Sequence, residues 1–180
     1  MSLVNIYLCH TVIRCSYLFP QFSIFFFFCA FLNFSAPELL LGDVYYDKGV
    51  DMWAIGCLFY ELLSMHALFP GNTEVDQLGL IFGRLGVPSD ADWPGFSQLP
   101  HVQLLNIQPG HLLNWRAGLH VTLTESEWTL LSSLLVYYPP ARISAGVALL
   151  TRYFDEEPRP ARIALTEDLL YPVIDKRSTV

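Results

Sequence analysis

The 180-residue chain has room for one domain with its own core, and no more. Seventeen acidic against ten scattered basic residues give a net charge of −7, which excludes a nucleic-acid surface built on clustered Lys and Arg. Hydrophobic residues make up 53% and charged residues 15%, which is apolar for a globular domain.

That apolar excess is concentrated at the front. Eight of the thirteen Phe fall in residues 1–35, where Arg14 is the one Lys, Arg, Asp or Glu. Residues 17–34, YLFPQFSIFFFFCAFLNF, have a length near the lower limit for a membrane span. Pro20, Gln21, Ser23 and Asn33 argue against one, so membrane attachment is a minority expectation. A signal peptide is a second reading, with Arg14 ahead of the apolar run and Cys29-Ala30 near a cleavage site. A third is translated non-coding sequence, because composition changes abruptly at Ser35-Ala36 without linker chemistry. The four cysteines, Cys9, Cys15, Cys29 and Cys57, match no metal-binding spacing, and His10 has no partner pair. No metal site is expected. Cys57 lies in an apolar run where buried free thiols are common, which suits a reducing compartment, cytoplasmic or nuclear.

Residues 50–64, VDMWAIGCLFYELLS, are apolar or small at almost every position and predict a helix buried on all sides, with Asp51 in its first turn. Pro70-Gly71-Asn72 is a turn. Thr73 then caps a helix with Glu74 and Asp76 in its first turn and Val75, Leu78, Ile81, Phe82 and Leu85 at helical spacing. Gly86 and Pro88 stop it. Residues 87–122, rich in Pro and Gly, read as a long irregular insert. A capping box, Thr124 to Glu127, opens another helix that Pro139-Pro140 ends. Ser144 can cap a short helix through Leu150, and Tyr153-Phe154 forms an aromatic anchor. Residues 155–180 read as a surface tail.

Ala36-Pro37-Glu38 is followed thirteen residues later by Asp51-Met52-Trp53-Ala54-Ile55-Gly56. That pair resembles the Ala-Pro-Glu motif and the Asp-x-Trp-x-x-Gly helix start of protein kinases, in the same order and spacing. Leu68-Phe69-Pro70-Gly71, Asp76-Gln77-Leu78, Leu85-Gly86-Val87-Pro88, Trp93-Pro94 and Tyr138-Pro139-Pro140-Ala141-Arg142-Ile143 resemble the cyclin-dependent kinase branch. Within it, the CDK-activating and cell-cycle-related types are the nearest in pattern. The resemblance implies a mainly α fold, the helical lower part of a kinase C-lobe without its small lobe or catalytic loops. It divides the chain into 1–35, 36–154 and 155–180.

The resemblance also implies roles. Glu38 should pair with Arg142 in the interior, where Arg gives a bidentate contact to carboxylate. Asp51 should accept bonds from a catalytic loop that this sequence does not contain. Trp53 and Gly56 should sit in the central helix. Ala36, Pro37, Glu38, Asp51, Trp53, Gly56 and Arg142 are therefore structural motif residues, and no catalytic, cofactor or metal residue is assigned.

Phosphoryl transfer needs a Gly-rich loop, a strand Lys, an Asp and an Asn on magnesium, and a catalytic-loop Asp. None of Gly-x-Gly-x-x-Gly, Val-Ala-Ile-Lys, His-Arg-Asp or Asp-Phe-Gly occurs in the sequence. ATP and magnesium are implied only for a full-length relative. A cyclin is the implied partner, but the small-lobe helix that contacts it is not in this sequence. The expectation is a truncated kinase fragment without activity. The alternative is an interaction module that uses residues 87–122, with Trp93 and Trp115 as candidate contacts, although ordinary packing is the more expected role of both Trp.

Overall fold

The structure is a computed structural model in which residues 32–156 are described. Among these described residues six named α-helices run in chain order: α1 (Pro37–Leu40), α2 (Gly49–Ser64), α3 (Glu74–Leu85), α4 (Pro100–Leu104), α5 (Glu125–Leu134) and α6 (Ala145–Ala148). Single 3₁₀ turns lie at Phe96–Gln98, Trp115–Gly118, Pro139–Ala141 and Arg152–Phe154. The described residues form no named strand, and one isolated bridge pairs Gly86 with Leu112. The fold is mainly α.

Helix α2 is the centre. Trp53, Cys57 and Tyr60, at helical spacing, face the main core with Leu41, Phe69, Ile81 and Leu131. Met52 turns the other way, into a smaller cluster with Leu130, Leu134 and Ala148. Both clusters reach α5, and α2 packs against it. Gly56 makes that approach close: a Cβ there would lie 2.8 Å from Leu135 Cδ2 and 3.0 Å from Leu134 Cβ.

Burial on all sides does not hold for the whole of α2. Asp51 is exposed in the first turn, and Leu62 in the last turn is 64% exposed. The helix outruns its neighbours there and stops at Met65, whose left-handed φ of 59° lets its N–H reach the Glu61 carbonyl at 2.8 Å.

Helix α3 starts as its sequence requires, with the Asp76 N–H donating to Thr73 Oγ1 at 3.1 Å. Leu78, Ile81 and Leu85 are buried, and Phe82 packs half-buried on the core. Val75, read as part of the apolar face, is 63% exposed, and the buried first-turn position belongs to Gln77. Its amide oxygen accepts the Gly71 N–H at 3.0 Å, which ties the preceding turn to the helix. Gly86 ends α3 at φ 85°, and a side chain there would run into the His111 carbonyl.

Residues 87–122 are less loose than their Pro and Gly content predicts. They contain α4 and two 3₁₀ turns, and they bury Trp93, Phe96 and Val102. His101 holds the segment to α1 twice: its N–H donates to the Leu41 carbonyl at 3.1 Å and its Nδ1 to the Leu40 carbonyl at 2.7 Å. Helix α5 carries both halves of its capping box, Glu127 N–H to Thr124 Oγ1 at 3.3 Å and Thr124 N–H to Glu127 Oε2 at 2.8 Å. Helix α6 is shorter than the Ser144–Leu150 span expected. Ser144 makes no side-chain cap bond, and Leu149 and Leu150 face solvent. Tyr153 closes the fold, edge-on to Phe59 at 5.0 Å.

The described part begins at Leu32, which is itself buried in the main core, with Phe34 packed against it. The end of the Phe-rich segment thus contributes to the same interior as α1. The candidate membrane or signal stretch otherwise lies outside the described residues, as does nearly all of the tail. Among the described residues no helix is long and apolar enough to cross a membrane.

Candidate functional site

The most polar feature of the interior is built from both ends of the described chain. Ala36 is buried and extended, and Pro37 opens α1, where its fixed φ suits the first turn and its missing N–H costs no helix bond. Glu38 follows and points inward, 1% exposed. Arg142 directly follows the 3₁₀ turn Pro139–Ala141; α5 itself ends at Leu134, earlier than the Pro139-Pro140 stop read from the sequence.

The two meet in a fork. Arg142 Nη1 donates to Glu38 Oε1 at 2.8 Å, and Nη2 donates to Oε2 at 3.1 Å. The remaining donors are used as well. Nη1 donates to the Gly49 carbonyl at 2.6 Å, Nη2 to the Tyr137 carbonyl at 3.2 Å and Nε to the Val136 carbonyl at 2.9 Å. All five guanidinium N–H groups therefore have acceptors. The cation also lies over the Trp53 ring, 5.2 Å from its centroid. Trp53 stacks on Phe69 at 6.1 Å and leans on Tyr137 at 6.2 Å. One guanidinium thus ties α1, the start of α2 and the exit of α5 together.

Glu38, Trp53 and Arg142 are brought together, with Ala36 and Pro37 placing Glu38. Gly56 lies further along α2 at the α5 contact. Asp51 does not join them. It is exposed and has no side-chain hydrogen bond among the described residues. Sequence reasoning missed the three carbonyl acceptors and the buried Gln77. Carbonyls leave no residue-type signal, whereas a Gln six residues after a turn Gly could have been tested as its acceptor.

The surrounding titratable groups are held neutral. Burial pushes the Cys57 thiol far up, only partly opposed by the Arg142 charge. Burial also pushes the Tyr137 phenol up, and its hydroxyl is committed to the Gly86 carbonyl at 2.6 Å. Such groups suit packing and do not suit acid–base chemistry near neutral pH. Among the described residues no three His, Cys, Asp or Glu side chains cluster to hold a metal. A cavity of about 200 Å³ lies between Leu85, Leu113, Trp115 and Leu135, with Asp92 at its edge. It offers no paired acid and base. The candidate contacts in the insert divide: Trp93 is 3% exposed and stacked near Phe96 and Tyr137, so it is core. Trp115 is half-buried, 4.5 Å from Trp128.

The sequence model described as "Protein kinase domain" matches residues 23–154. Cyclin-dependent kinase 11A of Homo sapiens is 43% identical over 127 residues, covering 71% of this chain and 16% of that protein. Probable cyclin-dependent kinase 10 of Dictyostelium discoideum is 41% identical over 145 residues, covering 81% of this chain and 39% of that one. Cyclin-dependent kinase G-2 of Oryza sativa subsp. japonica is 41% identical over 136 residues, 72% of this chain and 19% of the relative. The chain spans 39% or less of each of these proteins. Their names are of the 11, 10 and G types, whereas the motifs alone point toward the activating and cell-cycle-related types.

Proposed function

Since the chain belongs to the protein kinase domain family, in its cyclin-dependent branch, we propose that these 180 residues supply the structural base of a serine/threonine kinase C-lobe and do not themselves transfer phosphate. The observation that carries this reading is the Glu38–Arg142 fork under Trp53. It locks Glu38, Trp53 and Arg142 to one another and leaves none of these three facing a substrate. The family reaction needs phosphate-cradling glycines, a Lys, and Asp and Asn ligands to magnesium. The residues described here do not fit ATP and magnesium: no carboxylate cluster is formed, and Asp51 stands alone in solvent. A cyclin partner, a cytoplasmic or nuclear location and truncation of a longer kinase belong to the same proposal.

The test is a radiolabelled-ATP assay of the purified 180-residue chain with magnesium and Ser/Thr peptides. Transfer at the blank level is expected. Magnesium-dependent transfer above it overturns the reading.

A second reading has one observation in its favour. Leu104, Leu105, Leu112 and Leu113 of the insert are exposed. Isolated Leu are ordinary on a surface, but four on one segment suit a protein contact.

A further inference from the structure

We propose that His66 and His120 form a two-imidazole site for a borderline divalent cation of the zinc type, which clamps the end of α2 to the chain just ahead of α5. The two rings come from positions far apart in sequence, yet their centroids lie 5.7 Å apart at a tilt of 37°. A Zn–N bond of about 2.1 Å puts each ring centroid about 3.3 Å from the metal, so two imidazoles on one tetrahedral or trigonal cation stand about 5.3 to 5.7 Å apart. The observed separation falls within that range.

The second observation concerns the tautomer. His66 Nδ1 lies 2.7 Å from the Ser64 carbonyl oxygen. A carbonyl only accepts, so Nδ1 carries the proton, and in the neutral ring the lone pair is on Nε2. That is how a metal-binding His is usually prepared, with one nitrogen donating to a backbone carbonyl and the other free. Two further bonds fix the residue: His66 N–H to Ser64 Oγ at 3.2 Å, and Ser64 Oγ to the His66 carbonyl at 2.9 Å. The main chain of His120 is anchored to the same helix, since its N–H donates to the hydroxyl of the buried Tyr60 at 3.2 Å.

Both histidines are exposed, and no third His, Cys, Asp or Glu joins them among the described residues. Water completes the coordination, so the site is open. Imidazole nitrogen favours zinc, nickel and copper over magnesium or calcium. The cation therefore differs from the one used in phosphoryl transfer, and the site lies away from the Glu38–Arg142 fork. Its effect is mechanical: it joins the last turn of α2 to the end of the 87–122 segment.

The probe is zinc itself, titrated calorimetrically into the reduced 180-residue chain and into His66→Ala and His120→Ala. Zinc held elsewhere, by Cys9, Cys15 or Cys29 for instance, appears equally in all three proteins. The expected result is a class of sites in the parent, beyond any common to all three proteins, that each substitution weakens about tenfold or more, a loss no smaller than that for an outer-shell partner. In parallel, imidazole nitrogen spectra of the parent should show His66 Nε2 shifting with zinc while Nδ1 stays protonated. Unchanged titrations in both variants, or unmoved His66 and His120 resonances in the parent, overturn the proposal. The spectra need no variant, so they decide the matter even if a substitution disturbs folding.

Discussion

Replacing Arg142 by Ala is the most demanding test of how this fold is held. Four losses occur together. Glu38 keeps its charge at 1% exposure with nothing opposite it, and breaking a buried pair in this one-sided way costs about 3–5 kcal/mol. The Gly49, Val136 and Tyr137 carbonyls lose their donor, at roughly 1 kcal/mol for each that water cannot reach. Trp53 loses the cation over its ring. A space is left where α1, α2 and the exit of α5 meet. Domains of this kind are stable by about 5–15 kcal/mol, so the variant sits near the edge of folding. Arg142→Lys keeps the charge but has three donors for five acceptor contacts, so it should recover only part of the loss. Urea unfolding followed by circular dichroism measures each change through the midpoint. The double variant Glu38→Gln with Arg142→Met removes both charges and should cost less than the sum of the singles, by about 1–3 kcal/mol. Strict additivity, or an Arg142→Ala protein within about 1 kcal/mol of the parent, would refute the reasoning.

Two further outcomes follow from packing and titration. Gly56→Ala places a methyl within 3.0 Å of both Leu134 and Leu135, so overpacking of about 1–3 kcal/mol should outweigh a helix-propensity gain near 1 kcal/mol, read as a lower melting temperature; an unchanged or raised one removes the close-approach role given to this glycine. Cys57 and Tyr137 are both held in their neutral forms by burial. The unfolded chain ionises them from about pH 8.5 and pH 10 upward, so their contribution is complete below those values and lost as pH rises. Stability should fall above about pH 8.5, and fall less in Cys57→Ala; equal slopes for the two proteins would show that the thiol is not responsible.

The helices that could be read from sequence are those whose signals are local. The Thr73 cap and the Thr124–Glu127 box are each complete within a few residues, and each lies where its chemistry requires. The Glu38–Arg142 pair is different, since its halves are separated by 104 positions; only resemblance to a family linked them in advance. Two residues depart from the expected burial. Val75 fits the apolar period of α3 yet faces solvent, and Leu62 lies in a helix read as buried on all sides yet faces solvent. Periodicity says which residues share a face but not where the neighbouring element ends. The burial of Trp93 depends on the path of the 87–122 segment, which long-range bonds such as His101 to Leu40 hold.

The same dependence appears in the residues that carry the family's signature. The residues that make a kinase C-lobe recognisable here are those whose replacement damages the interior: a buried ion pair, an aromatic stack and a glycine at a helix crossing. They do so by satisfying one another. Arg142 spends every donor on its own scaffold, and Tyr137 spends its hydroxyl on Gly86. Groups so committed have nothing left for a phosphate or a metal ion. Catalytic groups require the reverse, a partly unsatisfied polarity directed at a substrate. In the described residues that condition is approached outside the interior, at the exposed His66 and His120 rings, where the bond from His66 Nδ1 to the Ser64 carbonyl leaves Nε2 as the lone-pair nitrogen of the neutral ring.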